Sequence, residues 1–383
     1  MKKHSLLILS FSNITKDARV LKQVALFKDD YHVVTCSYGP KPQGSAEHIQ
    51  IPDAQSYVQL DGRLITAHMY RTAYWRIPAI KWAWEHLRHR TFDVILADDF
   101  EAVPVAVRLK PVYGVHADLH EYSPSQFEDN EAWARRIRPF REWVIKRYIT
   151  KADSWTTVCD GLSDKYHEMF GFRASIVTNA TPYAELDPKP VTRPLRLVHH
   201  GGVNPARGIP WMVQAVMDSE ADIIFDLYLQ EVTGIETEKI RRLAANDDRI
   251  TVNAAVPYSE LIPTLNQYDV GISTILPNTF NLLHALPNKL FDYVQARLGI
   301  ITGPSPEMAR VVEENGLGVV LPDFSSAALT NAIDNLTTDE VWGWKQRAND
   351  VALKLSSETQ NEGWQTALAS LLPSSPSAAP PSL

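Results

Sequence analysis

The sequence is poor in cysteine and has no long apolar run. Among its 383 residues only Cys36 and Cys159 are cysteines, and they stand far apart and outside any metal-binding spacing, which excludes a disulfide framework. No stretch approaches the roughly 18 apolar residues of a membrane-spanning helix. The start, MKKHSLLILSFSN, imitates a signal peptide without a small-residue cleavage site, so we interpret it as a first buried strand. We therefore expect a cytoplasmic protein that is soluble or lies peripherally on the inner face of a membrane.

Positive net charge is also missing. The formal net charge is −7, which argues against nucleic acid as a partner. Residues 1–151 carry 22 Lys/Arg and 17 Asp/Glu, a charge of +5, whereas the remainder carries 16 and 28, a charge of −12, so the halves should meet different partners. Two cationic, aromatic stretches, residues 68–90 and 133–151, could anchor at an anionic membrane surface. Alternatively, they are solvated helices whose Trp and Tyr side chains face the core.

Short apolar runs alternate with longer amphipathic stretches, which predicts parallel sheets covered by helices. The strand candidates are SLLILSF, YHVVTCSY, DVILAD, GVHADLH, SWTTVCD and SIVTN in the first half, and LRLVHHG, IIFDLYL, ITVNAAV, VGISTI, GIITGP and GVVLP in the second. We predict a Rossmann-like domain over 1–180, a proline-rich linker over 181–194 and a second Rossmann-like domain over 195–345. Helices over 346–372 could cross back to the first domain, and residues 373–383 should form a disordered tail.

Ligands of such sheets bind outside the carboxyl ends of the strands, and one helix start near those ends is rich in polar groups. In PNKLFDYVQARL a helix should begin at Pro287 or Asn288. Lys289 and Asp292 share a helix face that we predict to point away from the core. Free N–H groups and Lys289 would together bind an anion. Alternatively, Asp292 only pairs with Lys289 and complements the helix dipole.

A glycine pair precedes a second candidate anion site. LVHHGGVNPARGIPWMVQAV predicts a strand, a turn at Gly201 and Gly202, and a helix opened by Arg207. Glycines let the backbone approach a phosphate closely, and an arginine can bind phosphate oxygens with two donors. An ordinary strand-to-helix turn is the alternative.

Two further clusters follow strands of the first half. Asp98 and Asp99 could hold a metal ion, although we expect none. His120 and Glu121 could work as an acid–base pair, or His120 could be structural.

The chain resembles the family-4 glycosyltransferases. The segment ALPNKLFDYVQARLGIITGPSPEMARVVEENGLGVVL is similar to their nucleotide-sugar segment, and weaker likenesses such as KDARVLKQVALFKDDYHVVTCSY and HADLHEYSP follow in the family's order over nearly the whole chain. The resemblance implies the GT-B fold: α/β, with two facing doubly wound Rossmann-like domains and a deep cleft between them. It also implies a retaining, metal-independent transferase that needs no cofactor and uses a UDP- or GDP-sugar donor.

The resemblance and the residue patterns together define candidate site residues. Those for the donor are Gly201, Gly202, Arg207, Asn281, His284, Asn288, Lys289 and Asp292. Those for the acceptor are Asn13, Arg19, His120 and Glu121, and the catalytic candidates are His120, Arg207 and Lys289. By resemblance, Asp292 would accept the ribose hydroxyls and the two cations would face the diphosphate.

The sequence differs from the family pattern at three places, and these differences leave alternative functions open. His284 stands where the family has the first of two carboxylates, Gly202 stands where an arginine is common, and SNITKDAR replaces a glycine-rich turn. The expected acceptor is a glycan or lipid-linked glycan of a bacterial surface polysaccharide, bound by the basic first domain. A sugar-nucleotide epimerase or hydrolase on the same fold, and a non-catalytic partner protein, remain the alternatives.

Overall fold

The chain forms two compact units. The computed structural model describes residues 3–230 and 234–373. The first unit comprises the described residues up to Val177 together with those from Asn361, and the second unit is Thr178–Gln360. The predicted disordered tail lies, apart from Pro373, outside the described residues. Of the helices described, none has both the length and the apolar character needed to cross a membrane.

The first unit is built on a seven-stranded sheet. Its strands are β1 (Ser5–Asn13), β2 (His32–Tyr38), β3 (Glu47–Gln50), β4 (Val94–Asp98), β5 (Gly114–Leu119), β6 (Ser154–Thr157) and β7 (Ser175–Ile176). They are ordered β3-β2-β1-β4-β5-β6-β7, and the paired strands run parallel. The strand order reverses between β1 and β4, the point at which doubly wound sheets bind their ligands.

The second unit repeats this plan with six strands. They are β8 (Leu195–Gly202), β9 (Ile223–Gln230), β10 (Ile250–Ala254), β11 (Val270–Ser273), β12 (Gly299–Thr302) and β13 (Gly318–Val320). Their order is β10-β9-β8-β11-β12-β13, again with parallel pairing, and it reverses between β8 and β11. Every strand candidate read from the sequence is confirmed.

Helices cover both sheets. In chain order they are α1 (Ala18–Phe27), α2 (Gly62–Thr66), α3 (Tyr70–Trp75), α4 (Pro78–Leu87), α5 (Asp99–Leu109), α6 (Glu131–Arg136), α7 (Arg138–Arg147), α8 (Asp160–Phe170), α9 (Ile209–Asp218), α10 (Gly234–Ala244), α11 (Tyr258–Leu265), α12 (Phe280–Leu283), α13 (Asn288–Gln295), α14 (Pro306–Asn315), α15 (Ser326–Asp334), α16 (Thr338–Val351), α17 (Ser357–Gln360) and α18 (Glu362–Leu371). The last of these returns to the first unit, where Trp364 and Leu368 join the core formed by Leu6 and Val94.

The two cationic, aromatic stretches of the first unit pack rings against one another, Tyr70 against Phe140 at 5.8 Å and Tyr74 against Tyr148 at 6.1 Å between ring centroids. Each stretch also has ring contacts of its own. Trp75 meets Trp84 edge-on at 5.7 Å between ring centroids, and the Arg108 guanidinium lies 4.4 Å and 4.1 Å from these two rings. Trp143 and Tyr148 make a similar edge contact at 5.8 Å. These rings therefore take part in packing within the unit, and the position at a membrane surface stays a prediction.

Candidate active site

The start of α13 lies at the strand-order reversal of the second sheet. Tyr293 of this helix donates its hydroxyl hydrogen to the carbonyl of Ile272 in β11 over 3.1 Å. Lys289, one turn earlier, lies 3.1 Å from His199 of β8, measured between Nζ and Nε2. The helix begins at Asn288 with Pro287 in the cap position, as predicted. The candidate anion site therefore stands at the edge where this type of sheet binds ligands.

The contact between Lys289 and His199 has a defined direction. Nδ1 of His199 is 2.9 Å from the carbonyl oxygen of Ile272, which can only accept, so Nδ1 carries the hydrogen and Nε2 accepts from the Lys289 ammonium. Burial lowers the pKa of Lys289 well below its ordinary value, and Arg207 lowers it further while Asp292 opposes this. Burial and the neighbouring Lys289 likewise hold the pKa of His199 well below its ordinary value. A bound anion would relieve this crowding of positive charge.

Arg207 is the second cation of the site. It ends a short 3₁₀ turn, Pro205–Arg207, whose start is capped by the Asn204 side chain. The turn closes on Gly208, which has φ of +64° and where a Cβ atom would come within 1.9 Å of the Trp211 indole nitrogen. Nη1 of Arg207 is buried and has no hydrogen-bond partner among the described residues. An unsatisfied buried guanidinium donor is costly, and an anionic ligand would satisfy it.

Asp292 is held on the same side of the helix. Thr181 donates its hydroxyl hydrogen to Oδ1 over 2.6 Å, and Nε2 of His200 lies 3.5 Å from Oδ2. Lys289 is 6% exposed and Asp292 3%, so the prediction that this pair points away from the core is wrong. The polar face of α13 instead lies against the carboxyl edge of the sheet, where Thr181 and the two histidines supply polar partners.

The remaining predicted donor residues flank this cluster. Gly201 ends β8 with φ of +120°, and a Cβ atom there would touch Cε of Lys289 at 3.4 Å. Gly202 follows it, half-buried, and Asn288 is exposed in the first turn of α13. Their contacts with a donor stay predictions.

His284, at the position where the sequence resemblance led us to expect a carboxylate, has a carboxylate as its partner. Its Nδ1 lies 3.2 Å from Oε1 of Glu307, which is buried in the first turn of α14. Asn281 lies one turn earlier on α12, half-buried. In the structure the carboxyl group beside His284 comes from Glu307 of α14.

Three residues of this cluster were not predicted from the sequence: His199, His200 and Thr181. The signal was present in the VHHGG stretch, in which two histidines close a buried strand directly before the glycine turn. Thr181 carried no signal, because its role depends on tertiary contact with Asp292.

The first unit contains a cavity of about 620 Å³. This volume is typical of a small-molecule site. The cavity is lined by Ser10, Phe11, Ser12, Asp17, Tyr57, Val58, Leu60, Tyr74, Ile77, Asp98, Asp99, Phe100, Glu101, His120, Glu121, Ser123, Gln126, Phe127, Trp133, Ile137, Phe140 and Arg141. Because it contains the end of β1 and the end of β4, it lies at the strand-order reversal of this sheet.

His120 is surrounded by carboxyl groups at the base of this cavity. Its Nδ1 is 3.3 Å from Oδ2 of Asp99, and its Nε2 is 3.3 Å from Oδ2 of Asp118 and 3.5 Å from Oδ1 of Asp98. Although burial lowers it, the pKa of His120 is raised well above its ordinary value by these carboxylates. Burial raises the pKa of Asp98 to about 7. These carboxylates therefore favour the imidazolium form of His120.

Asp99 helps to position His120 from a strained backbone conformation. Its φ is +62°, an unfavourable conformation for a residue with a side chain. Its Oδ1 accepts the backbone N–H of His120 over 3.0 Å. Such strain is typical of functional sites.

Asp118, beneath His120, is saturated with donors. It accepts two hydrogen bonds from Arg19, at 2.8 Å and 2.7 Å, one from Gln23 at 2.8 Å and one from Thr156 at 2.7 Å. Ligand atoms of Asp98, Asp118 and His120 lie within 4.8 Å of one another and could hold a metal ion by distance alone. Since the oxygens of Asp118 are already engaged by four donors, this cluster is poorly suited to a metal.

The four predicted acceptor residues are placed differently. His120 and Glu121 line the cavity. Arg19 is buried beneath it, with Nη1 donating to the carbonyl of Val177 over 2.9 Å, so its guanidinium is used within the unit. Asn13 is exposed and accepts from the backbone N–H of Thr15 at 3.2 Å. Acceptor contacts by all four stay predictions.

Two Rossmann-like units in one chain define the fold class, which is GT-B. HepE of Anabaena, solved in complex with UDP-glucose, is 13% identical with a TM-score of 0.68, covering 96% of this chain and 100% of that one. WaaG, a glycosyltransferase involved in lipopolysaccharide biosynthesis, is 12% identical with a TM-score of 0.68, covering 94% and 98%.

A glycosyltransferase from Rickettsia africae is 11% identical with a TM-score of 0.69, covering 98% of this chain and 100% of its own. At these identities the likeness shows the fold. No protein-family model matches the sequence, and no curated protein matches it in a sequence search.

Proposed function

We propose that the protein is a glycosyltransferase that moves a sugar from a nucleoside diphosphate donor to a hydroxyl group of an acceptor. One observation carries the proposal: a buried cation, Lys289, and a half-buried one, Arg207, accompany a helix start at the strand-order reversal of the second sheet. Buried charges are normally paired, and Nη1 of Arg207 has no hydrogen-bond partner among the described residues. A diphosphate would satisfy both cations.

The donor would lie along the start of α13. The backbone N–H groups near Asn288 and the ammonium of Lys289 would bind the diphosphate, with Arg207 donating to its oxygens. Asp292, with two acceptor oxygens, would bind the ribose hydroxyls. The binding of UDP-glucose by HepE, a protein of the same fold, supports a UDP-sugar as the donor.

Catalysis would rest on stabilising the leaving diphosphate. Negative charge grows on the diphosphate as the glycosidic bond breaks, and preorganised cations in a dry site stabilise that charge. Because Lys289 and Arg207 supply this charge, we propose transfer without a metal ion or other cofactor. The family resemblance supports retention of the anomeric configuration, with a diphosphate oxygen assisting the incoming hydroxyl. By the family resemblance, His120 would contact the acceptor.

The acceptor would bind in the cavity of the first unit. We propose a glycan or lipid-linked glycan, in bacterial surface polysaccharide or glycolipid synthesis. The role of WaaG in lipopolysaccharide biosynthesis supports this setting. The exposed basic side chains of the first unit support a peripheral position on the inner face of the membrane through electrostatic attraction.

A thermal-shift screen with nucleotide sugars tests the function. We expect one UDP- or GDP-sugar to raise the melting temperature of the full chain and to be consumed only when an acceptor is present. Product analysis by mass spectrometry distinguishes the alternatives, because an epimerase or hydrolase converts the donor alone. Absence of protection by every nucleotide sugar would favour a non-catalytic partner protein.

A further inference from the structure

The cavity of the first unit is rich in carboxyl groups and poor in cations. Asp98, Asp99, Glu101 and Glu121 line it together with Asp17. Among the described residues, His120 and Arg141 are the cationic side chains of its lining. The composition of the wall therefore favours ligands that donate hydrogen bonds.

Both cations are already committed to neighbours. His120 lies between three carboxyl groups at 3.3 to 3.5 Å, close enough for ion pairing, although its buried Nε2 makes no hydrogen bond of good geometry with a described residue. Nη1 of Arg141 donates to the carbonyl oxygen of Ser123 over 2.9 Å and to the side-chain oxygen of Gln126. The Arg141 guanidinium carbon also lies 4.8 Å from the ring centre of Phe100 and 5.1 Å from that of Trp133. A phosphate entering the cavity would find neither cation free of competing partners.

Acceptor atoms in the same wall lack donors. Asp98 is 2% exposed and Ser123 5%, and their Oδ2 and Oγ atoms have no hydrogen-bond partner among the described residues. Leaving such buried atoms unsatisfied is costly. Hydroxyl groups of a ligand, which both donate and accept, would complete these hydrogen bonds.

The outer wall offers flat apolar faces. Tyr57 is 39% exposed and Phe127 51%, and Trp133 joins them in the lining. Burial, followed by the charge on Asp99, raises the pKa of Glu101 to about 8, so this carboxyl is largely protonated near pH 7 and both donates and accepts. Such a wall matches a sugar ring, which has hydroxyl groups at its edge and C–H groups on its faces.

We propose that this cavity binds the acceptor through an uncharged, hydroxyl-bearing sugar ring and disfavours acceptors whose bound ring carries a phosphate. The inference rests on the proposed function, whose acceptor it specifies. A phosphate would meet the ionised carboxylate of Asp99, whose pKa, although burial raises it, is kept low by neighbouring His120, whereas the ring hydroxyls would complete the hydrogen bonds of Asp98 and Ser123.

Saturation-transfer NMR on the full chain tests the proposal. The probes are the methyl glycosides of glucose, galactose and mannose and the 6-phosphates of the same three sugars. We expect at least one uncharged glycoside to bind, with its 6-phosphate bound about tenfold more weakly or not at all. Glu101→Lys, which adds a cation to the cavity, should reduce that preference about tenfold, whereas Glu131→Lys on exposed α6 should leave it unchanged.

Tighter binding of the 6-phosphates, or no binding of any uncharged glycoside, would overturn the inference. Nucleotide-sugar protection measured on the same samples separates its failure from that of the proposed function. If protection is present and the glycosides fail, only the acceptor class is wrong. If protection is absent with every nucleotide sugar, the proposed function fails.

Discussion

Lys289 donates to Nε2 of His199 over 3.1 Å, so a buried ammonium rests on a neutral imidazole instead of a carboxylate. Because Nδ1 of His199 is bound to the carbonyl of Ile272, the imidazole cannot turn its donor toward Lys289. Among the described residues the Lys289 ammonium has no salt-bridge partner, although the Asp292 carboxylate acts on it through space, so it remains able to bind an anionic ligand.

Replacing Lys289 with methionine should separate binding from stability. Methionine retains the stem beside Gly201 but removes the charge, so we expect loss of nucleotide-sugar protection and a fall in turnover of about 10² to 10³-fold. The melting temperature without ligand should be equal or higher, because a buried charge is costly. The exposed Lys239, replaced in the same way, serves as the control. A lower melting temperature with unchanged protection would assign Lys289 a structural role.

At a pH above the lowered pKa of Lys289, donor binding should take up protons. The pKa of Lys289 lies well below its ordinary value because of burial and Arg207, and a bound diphosphate would raise it. Binding then favours the protonated form, so affinity should fall as the pH rises through the lowered pKa of the free protein. Calorimetry in two buffers of different ionisation enthalpy measures the uptake. Release of protons, or affinity that rises with pH, would contradict the assignment.

Asp292 should make nucleotide binding depend on the 2′ and 3′ hydroxyl groups of the ribose. We expect wild-type protein to bind UDP or GDP at least about tenfold more tightly than the 2′,3′-dideoxy analogue, and Asp292→Asn to lose most of that preference. Thr181→Val, which removes the hydroxyl that orients Oδ1, should reduce the preference less. If wild type and Asp292→Asn prefer the nucleotide over its dideoxy analogue equally, another group binds the ribose hydroxyls.

Arg19 should behave as a structural residue. Arg19→Met leaves Asp118 buried without its bidentate partner, and breaking a buried ion pair in this way costs about 3 to 5 kcal/mol. Denaturant unfolding should report that loss, while nucleotide-sugar protection of the folded fraction is retained. A variant of unchanged stability with a raised KM for the acceptor would instead support the acceptor contact that the sequence predicts.

The basic surface of the first unit should bind anionic vesicles. Lys146 and Arg147 are exposed in the last turn of α7, and reversing both to glutamate should weaken flotation with anionic lipid. The matched control reverses Arg241 and Arg242, an exposed basic pair in the last turn of α10. Binding that persists at high salt would argue against an electrostatic cause.

Sequence periodicity was sufficient for the sheets because their strands are buried and apolar. One strand, β3, was not predicted from the sequence. It has the sequence Glu-His-Ile-Gln and lies at the edge of its sheet. An edge strand has one neighbour and is only partly buried, so it does not need an apolar run. The start of α13 was likewise predictable, since Pro287 and Asn288 are local signals. These features depend on local residues alone.

The orientation of α13 was not predictable in the same way. Helical spacing correctly put Lys289 and Asp292 on one face, but the usual rule that a polar face meets solvent failed. Here that face meets His199, His200 and Thr181 from distant parts of the chain. Similarly, the pairing of His284 with Glu307 depends on the packing of α12 and α14, which no local pattern contains.

The most direct test is titration calorimetry of the full chain with UDP, UMP and uridine, and with the GDP series in parallel, in wild type and Lys289→Met. If Lys289, Arg207 and the start of α13 bind a diphosphate, one series should show affinity that increases with each phosphate, and the variant should lose most of the increase between the mono- and diphosphate. Equal affinity for nucleoside and diphosphate in the wild type, or an unchanged increase in the variant, would contradict the account.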